Sequence, residues 1–247
     1  SWWFYHGFML AGFLIAVLVL LSEFFRGRGV ISIMRGLFVL EGIVELELEH
    51  QETIAALAAA TEAKDPYTHG HTIRVAQQAV RIGRAMDLPP ERLRVLARAG
   101  LLHDVGKLGI RDAVLLKPDK LTPEEFRHIQ EHPKLGHDIL RRVGSLEAEI
   151  SVIVAHHERM DGTGYPSGLQ AEAIPLEARI LAVADVFDAL TSKRPYRDPM
   201  SEEEALDVIQ SERGTHFDPA CIDAFVQSKT TGRTPGESVL RRCSKID

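Results

Sequence analysis

The chain has 247 residues, which is enough for one large domain or for a small domain with extensions, and its 45% hydrophobic content is sufficient for a buried core. A net charge of −6 argues against binding of a nucleic-acid polymer through bulk electrostatics. The two cysteines, Cys221 and Cys243, lie far apart in the sequence. Their spacing argues against a disulfide scaffold or a thiolate zinc site and is compatible with a reducing compartment.

Residues 1–26 are predicted to form a transmembrane helix. The segment carries no charge over Gly7–Leu21 and is apolar over about twenty residues, the length that crosses a bilayer core. Aromatic residues stand at one end and arginines beyond the other, namely Trp2, Trp3, Tyr5, Arg26, Arg28 and Arg35. The positive-inside rule then predicts a single-pass segment in the inner (cytoplasmic) membrane, with the rest of the chain in the cytoplasm. A buried helix of a soluble protein is the alternative.

Residues 27–64 are predicted to form a linker helix. Val30–Lys64 lacks proline and is rich in Leu, Ile, Ala and Glu. Apolar residues follow a three-four spacing at Ile33, Leu37, Leu40, Val44, Ile54 and Ala58. This pattern favours a coiled coil that makes the protein a homodimer, and it equally allows an amphipathic helix that packs on its own domain.

The segment 65–228 is predicted to be one all-α domain, followed by a polar tail at 229–247. Helical apolar spacing predicts helices at Thr72–Met86, Pro90–His103, Pro123–Arg142, Leu146–His157, Leu176–Leu190 and Ser201–Gln210. Thr122 and Ser201 precede acidic first turns and are predicted N-caps.

The stretch Leu101–Ile110, LLHDVGKLGI, carries the first chemical motif. It places His103, Asp104 and Lys107 within about one turn of a predicted helix. An imidazole beside a carboxylate suits Fe, Mn, Zn or Co, and a neighbouring ammonium suits a phosphate group held against such a metal.

Histidine is abundant in the sequence, with 11 residues. Read as ligands, the useful imidazoles and carboxylates are His71, His103, His132, His156, His157, Asp104 and Asp185. This set contains no thiolate and exceeds the needs of one ion. Two cations bridged by a carboxylate are the natural interpretation, and such pairs are a known solution for phosphoester hydrolysis.

The stretch His156–Leu169, HHERMDGTGYPSGL, follows a predicted helix. Its glycines and proline predict an irregular loop, here called the GYP loop. Tyr165 in this loop is expected to line a pocket and to stack on a ligand. Taken alone, the Gly-Tyr-Pro sequence favours a simple turn.

Six ordered motifs together carry a resemblance to a known family. They read DPYTHGHTIRVA, HDVGKLGI, EHPKLGHDIL, HHERMDGTGYPSGL, ADVFDALTSKRPYR and GTHFDP, between Glu62 and Val226. The chain resembles the HD-GYP domain phosphodiesterases, a branch of the HD superfamily that hydrolyses cyclic di-GMP. The fold implied is an all-α HD-domain helical bundle, here preceded by the transmembrane and linker helices.

The resemblance implies two divalent metal ions, with Fe expected and Mn an alternative. The implied ligands are His71, His103, Asp104, His132, His156, His157 and Asp185, with Asp104 bridging. Some members carry a glutamate where this chain has Tyr67 and hold a third metal, so that two metals are expected here.

The resemblance also implies roles at the substrate. His103, Asp104 and Lys107 would be catalytic, and Lys107 would bind a phosphate oxygen. Contacts with the cyclic dinucleotide are expected from Tyr165, Asp188, Arg194 and Arg197, Asp188 serving either to support a metal ligand or to face the substrate. A metal-bridging hydroxide would attack phosphorus and give pGpG, with a second cleavage to GMP left open.

Two other functions remain open at the level of the sequence. One is an HD phosphohydrolase that acts on another nucleotide, such as a cGAMP-type dinucleotide. The other is a catalytically silent receptor that binds cyclic di-GMP and signals through the coiled coil.

Overall fold

The computed structural model describes residues 52–65, 70–144, 146–193 and 198–230. The chain divides into two compact units, Ser1–Thr53 and Ile54–Asp247, and the description below concerns the second. The predicted transmembrane segment and most of the predicted linker lie outside the described residues and stay predictions. Within the described ranges, no helix combines the length and the apolar character that a membrane span requires.

The described residues form helices and no strand, apart from one isolated bridge between Arg213 and Phe217. The prediction of an all-α fold is therefore confirmed for this part of the chain. The α-helices are α1 (52–64), α2 (His71–Ala85), α3 (Pro90–Leu102), α4 (Asp112–Leu115), α5 (Pro123–Ile129), α6 (His132–Leu140), α7 (Glu147–Ala155), α8 (Leu176–Thr191), α9 (Glu202–Ser211) and α10 (Pro219–Thr230). Short 3-10 helices occupy Val105–Gly109 and Ala171–Ala173.

Helix α8 is the central element. Its sequence, LEARILAVADVFDALT, is apolar on most faces, and it packs against α2, α3, α7, α9 and α10. Side chains such as Ile180, Leu181 and Phe187 are 0–2% exposed. Each buried side chain of this size contributes about 1.5–3 kcal/mol through removal of apolar surface from water. Helix α8 thereby offers a rigid support for the two aspartates that it carries, Asp185 and Asp188.

The predicted single helix Pro123–Arg142 was wrong, because the chain breaks between α5 and α6. Pro133 has no backbone N–H and cannot donate to the carbonyl oxygen of Ile129. That oxygen instead accepts a hydrogen bond from Nδ1 of His132, at 2.8 Å. The break therefore frees a backbone acceptor that orients an imidazole of the site.

The predicted N-caps are confirmed. Thr122 and Ser201 each accept a hydrogen bond from the backbone N–H three residues on, and Glu125 and Glu204 return the bond to the cap residue. These reciprocal pairs are capping boxes, which satisfy two of the free backbone donors at a helix N-terminus.

The HD motif does not lie within one helical turn as predicted. Helix α3 ends at Leu102, and Asp104 is the N-cap of the 3-10 helix Val105–Gly109. This short helix crosses α6 so closely that a Cβ atom on Gly106 would collide with the backbone carbonyl of His132. The change of helix type at the motif turns His103 and Asp104 towards the same interior site.

The structure describes helical residues beyond both ends of the predicted domain 65–228. Helix α10 continues through Thr230, so the first two residues of the predicted tail are helical. Lys229 Nζ lies 4.2 Å from the ring centroid of Phe187 and 3.0 Å from Glu202 Oε2. At the other end, Ile54 and Ala58 of α1 are 4% and 7% exposed, which favours packing of this part of the linker on its own domain.

Candidate metal centre

The seven predicted metal ligands converge in the structure from five regions of the chain. His71 and His132 are the first residues of α2 and α6, His103 and Asp104 join α3 to the 3-10 helix, His156 and His157 follow α7, and Asp185 lies on α8. Three overlapping groups have ligand atoms within 4.8 Å of one another: His71–His103–Asp185, His103–Asp104–His156 and His132–His156–His157. The residues singled out from the sequence therefore occupy one site.

Three of the imidazoles have a fixed tautomer. Nδ1 of His103, His132 and His156 each lies within hydrogen-bond distance of the backbone carbonyl three residues earlier. The acceptors are Gly100 at 2.8 Å, Ile129 at 2.8 Å and Ile153 at 2.6 Å. A carbonyl oxygen can only accept, so Nδ1 carries a proton, and in the neutral imidazole Nε2 therefore carries a free lone pair.

These free lone pairs point at one another. Nε2 of His132 lies 3.4 Å from Nε2 of His156, and neither atom has a proton to share in this tautomer. His103 Nε2 is buried and makes no hydrogen bond with any residue that the structure describes. Buried acceptors without a donor are unfavourable unless a cation lies between them. The donor set therefore fits a divalent metal ion of borderline softness.

His71 is held between two carboxylates. Its Nδ1 lies 2.7 Å from Asp188 Oδ2, and its Nε2 lies 3.2 Å from Asp185 Oδ1. Burial alone would lower the pKa of His71, but the hydrogen bonds to Asp185 and Asp188 outweigh it and raise the pKa to about 9. This part of the site therefore attracts positive charge.

Asp188 lies behind His71, with 2% of its surface exposed. Its Oδ1 accepts a hydrogen bond from Arg74 Nε at 2.6 Å, and its Oδ2 accepts from Arg74 Nη2 at 3.0 Å and Ser192 Oγ at 3.2 Å. Burial would raise the pKa of this carboxyl, but His71 and Arg74 hold it below its usual range. Of the two predicted roles, this position agrees with support of a metal ligand and not with a substrate-facing carboxylate.

Asp104 and Lys107 form a buried charge pair, with Lys107 Nζ 2.8 Å from Asp104 Oδ2. The second contact of this ammonium is Asp65 Oδ2, at 3.3 Å. Burial opposes ionisation of both groups, yet their attraction lowers the pKa of Asp104 and raises the pKa of Lys107. The two Asp104 oxygens also face different imidazoles, at 3.5 Å from His103 Nε2 and 3.7 Å from His132 Nε2. This arrangement is the one expected of a bridging carboxylate.

The GYP loop contacts the site through Tyr165. The ring of Tyr165 packs on the ring of His157 at a centroid distance of 4.8 Å and an interplanar angle of 31°. Burial, and after it the electrostatic effect of the neighbouring His132 imidazole, lowers the pKa of His157 to about 3, which keeps this imidazole neutral. Burial and the charges of Asp185 and Asp104 raise the pKa of Tyr165, which keeps its hydroxyl protonated.

The loop is held by a residue that the sequence interpretation missed. Glu158 is 3% exposed, and its carboxylate accepts hydrogen bonds from the backbone N–H groups of Ser167 at 2.7 Å and Leu169 at 3.0 Å. Gly164 lies against the backbone of Arg159, where a Cβ atom would collide. The conformation of the loop therefore depends on one buried acid and one glycine.

Other supporting residues were also missed. Arg74 lies one turn after His71 on α2, and this spacing was the available sequence signal. Asp65, which contacts Lys107, was not among the predicted site residues. Arg194 and Arg197, which were predicted to contact the substrate, lie outside the described residues.

Comparison with protein families gives a match to the HD domain over residues 43–221. A cyclic di-GMP phosphodiesterase response regulator, RpfG of Xanthomonas campestris, is 42% identical over 193 residues, 77% of this chain and 51% of that protein. A cyclic di-GMP phosphodiesterase of Thermotoga maritima is 39% identical over 210 residues, 82% of this chain and 57% of that protein. A 3'3'-cGAMP-specific phosphodiesterase of Vibrio cholerae is 40% identical over 172 residues, 70% of this chain and 37% of that protein. The chain thus spans about half the length of the first two relatives and less of the third.

Solved structures show the same fold. Bd1817, an HDG"Y"P protein from Bdellovibrio bacteriovorus, has a TM-score of 0.53 at 20% identity, over 63% of this chain and 50% of that one. The HD domain of the phosphodiesterase PgpH from L. monocytogenes, in complex with cyclic di-AMP, has a TM-score of 0.53 at 19% identity, over 72% of this chain and 97% of that one. The family match covers most of the sequence, the histidine and aspartate cluster is assembled, and Tyr165 of the GYP loop packs on His157. The chain therefore belongs to the HD domain family, in its HD-GYP branch.

Proposed function

We propose that this protein is a metal-dependent phosphodiesterase that hydrolyses cyclic di-GMP. The observation that carries the proposal is the set of buried imidazoles whose free Nε2 atoms face one another beside the Asp104–Lys107 pair. The names of the relatives from Xanthomonas campestris and Thermotoga maritima support this substrate.

Two metal ions would be held by the clustered groups, with Fe expected and Mn an alternative. His71, His103 and Asp185 would hold one ion, and His132, His156 and His157 would hold the other. Asp104 lies between the two groups and would contact both. When bound, divalent cations supply Lewis-acid and water-activating chemistry for phosphoester hydrolysis.

The protein's own residues bind and orient the substrate. The Lys107 ammonium, which pairs with Asp104, would donate to a phosphate oxygen and stabilise negative charge on phosphorus. Asp188 fixes the ring of His71 through Nδ1. Tyr165 offers a protonated hydroxyl and an aromatic ring to the nucleotide. Arg194 and Arg197 are proposed to contact the second phosphate.

Cleavage of the first ester would add water at phosphorus and break its bond to a ribose 3′ oxygen, which takes the proton. The product of this step is linear pGpG, and a second hydrolysis would give GMP. The proposed setting is the cytoplasmic side of the inner membrane, with the segment 1–26 as an anchor and the linker as the dimer contact.

A cGAMP-type dinucleotide is the second candidate substrate. The 40% identity to a relative named as 3'3'-cGAMP-specific favours it. Both candidates need the same metal centre and differ only in one base, so that the choice between them is a question of substrate turnover.

The test is hydrolysis by the anaerobically purified protein, loaded with Fe²⁺ or Mn²⁺, of cyclic di-GMP, cGAMP and cyclic di-AMP, with the products resolved by chromatography. We expect cyclic di-GMP to have the highest kcat/KM. His103→Ala and Asp104→Ala should each lower that value by about 100-fold or more, since both remove candidate metal ligands.

The matched control is His137→Ala, because His137 is an imidazole 46% exposed and paired only with Asp138 among the described residues. This variant should retain wild-type turnover. Binding of cyclic di-GMP without cleavage would instead support the receptor function, and preferential cleavage of cGAMP would support the second candidate substrate.

A further inference from the structure

The motif GTHFDP has no part in the metal centre, although it is one of the six motifs of the chain. It lies between α9 and α10 and ends at Pro219, the first residue of α10; Glu212–Asp218 are here called the α9–α10 turn. None of its side chains is among the groups that could hold a metal ion within the described part of the chain. Residues of the α9–α10 turn instead contact the GYP loop.

The start of the GYP loop is bonded directly to this turn. The backbone N–H of Met160 donates to the carbonyl of His216 at 3.3 Å, and the N–H of Asp161 donates to the carbonyl of Thr215 at 2.9 Å. The Arg159 guanidinium adds a side-chain contact, with Nη2 3.2 Å from Glu212 Oε2. Three consecutive loop residues are therefore attached to one turn.

Glu212 joins the loop to the turn. The same oxygen that accepts from Arg159 also lies 2.9 Å from Nδ1 of His216. The ring of His216 stacks on the ring of Phe217 at 4.0 Å and 13°, and Phe217 is 2% exposed. The Glu212 carboxylate thus connects the long side chain of Arg159 to the ring of His216, which stacks on the buried Phe217.

The α9–α10 turn is itself bonded to α8, the helix that carries Asp185. Asp218 is 7% exposed, and its Oδ2 accepts a hydrogen bond from Arg179 Nη1 of α8 at 2.6 Å. Helix α8 therefore supports the metal centre directly through Asp185 and supports the GYP loop through the turn. Helix α8 thus sets the distance between the candidate metal centre and Tyr165.

We propose that Glu212 is a positioning residue, which together with His216 and Arg159 holds the GYP loop, and with it Tyr165, at the distance from the metal centre that the cyclic dinucleotide requires. This inference rests on the proposed function for its consequence in catalysis. Glu212 touches neither the candidate metal ligands nor Tyr165, so its effect on substrate is exerted through the loop.

The test compares Glu212→Ala with Arg213→Ala. Arg213 is the neighbouring residue, and its ion pair with Asp223, at 2.7 Å, joins the turn to α10 without reaching the loop. In Glu212→Ala, hydrogen exchange of the backbone amides of residues 159–169 should accelerate by about tenfold, the size of effect expected when a charged hydrogen bond is lost. Arg213→Ala should leave exchange in this segment unchanged.

Steady-state kinetics on the same metal-loaded proteins provides the second measurement. We expect Glu212→Ala to raise KM for the cyclic dinucleotide by about tenfold while kcat stays within about twofold, because the loss falls on substrate positioning. Glu212→Gln keeps an acceptor oxygen at the same place and should recover most of the wild-type KM. If Glu212→Ala does not fold, the Gln variant still carries the comparison, with a smaller change in the same direction.

The outcomes separate the two proposals. A Glu212→Ala protein whose loop exchanges at the rate of Arg213→Ala, or whose KM equals that of the wild type, overturns the positioning role. A wild-type protein that cleaves no cyclic dinucleotide refutes the proposed function instead. The exchange comparison then still decides whether Glu212 holds the loop.

Discussion

Where an imidazole in the site has a partner at its Nδ1 atom, that partner sets the protonation of the ring. Each backbone carbonyl that accepts from Nδ1 of an imidazole leaves Nε2 free for a cation. The same principle applies to His71, except that its neighbour is the charged Asp188. A carboxylate in this position orients the ring and increases its basicity, and therefore strengthens its bond to a metal ion.

The first prediction concerns Asp188→Asn. The amide is a weaker acceptor for the Nδ1–H of His71 and carries no charge, so the affinity for Mn²⁺ should fall by about 10- to 100-fold. Competition with a fluorescent chelator measures this affinity. Ser192→Ala is the control, since Ser192 contacts the same carboxylate oxygen without touching His71, and it should bind Mn²⁺ almost as tightly as the wild type. Equal affinities in the Asn variant and the wild type would show that Asp188 does not support the metal ligand.

At the scale of the helices, the sequence predicted most elements because they follow local rules. The capping boxes at Thr122 and Ser201 and the apolar spacing of α2 and α8 depend only on residues within a few positions. The break before α6 was missed because Pro133 was read as part of a continuous apolar pattern. The consequence of the break is that the carbonyl of Ile129 is free to accept from His132. This contact is recognisable only in the folded structure.

Close contact between elements provides the second prediction. The 3-10 helix Val105–Gly109 lies against α6, and a Cβ atom on Gly106 would meet backbone atoms of His132 and Gly136, which cannot rotate away. Gly106→Ala should lower the free energy of unfolding by about 3 kcal/mol or more, since backbone must move. Chemical denaturation with urea measures this change.

The matched control is Gly144→Ala. Apart from its chain neighbours, no residue that the structure describes has an atom within 4 Å of a Cβ atom built there, and the glycine does not have a positive φ angle. This variant should remain within about 0.5 kcal/mol of the wild type. A similar loss in both variants would contradict the proposed role of close packing at the HD motif.

At the scale of the whole molecule, the sequence predicted the candidate metal ligands but not the residues that support them. Residue type and spacing predicted the seven candidate ligands, because imidazoles and carboxylates are recognisable one at a time. The supporting residues Arg74, Asp65 and Glu158 were missed, because ordinary surface positions also carry such residues. Only the packed fold shows that they contact Asp188, Lys107 and the GYP loop, respectively. The substrate contacts of Arg194 and Arg197 stay predictions.

The ligands come from five regions of the chain, so bound metal should stabilise the whole domain. Cys221 reports on this stability because it is 0% exposed and burial raises its pKa to about 12. At pH 8 the thiol is both protonated and inaccessible, and a thiol reagent reacts only after the domain opens. In a Cys243→Ser background, Cys221 is the only remaining thiol of the two in the sequence.

We expect Mn²⁺ at about 100 times its dissociation constant to slow labelling of Cys221 by about 100-fold relative to protein treated with a chelator. The ratio follows because the ion binds the folded domain and not the open chain. The same comparison in a His103→Ala variant should show a much smaller ratio, since one candidate ligand is absent. If labelling proceeds at the same rate with and without metal, the ion does not tie these helices together, and the site is assembled by packing alone.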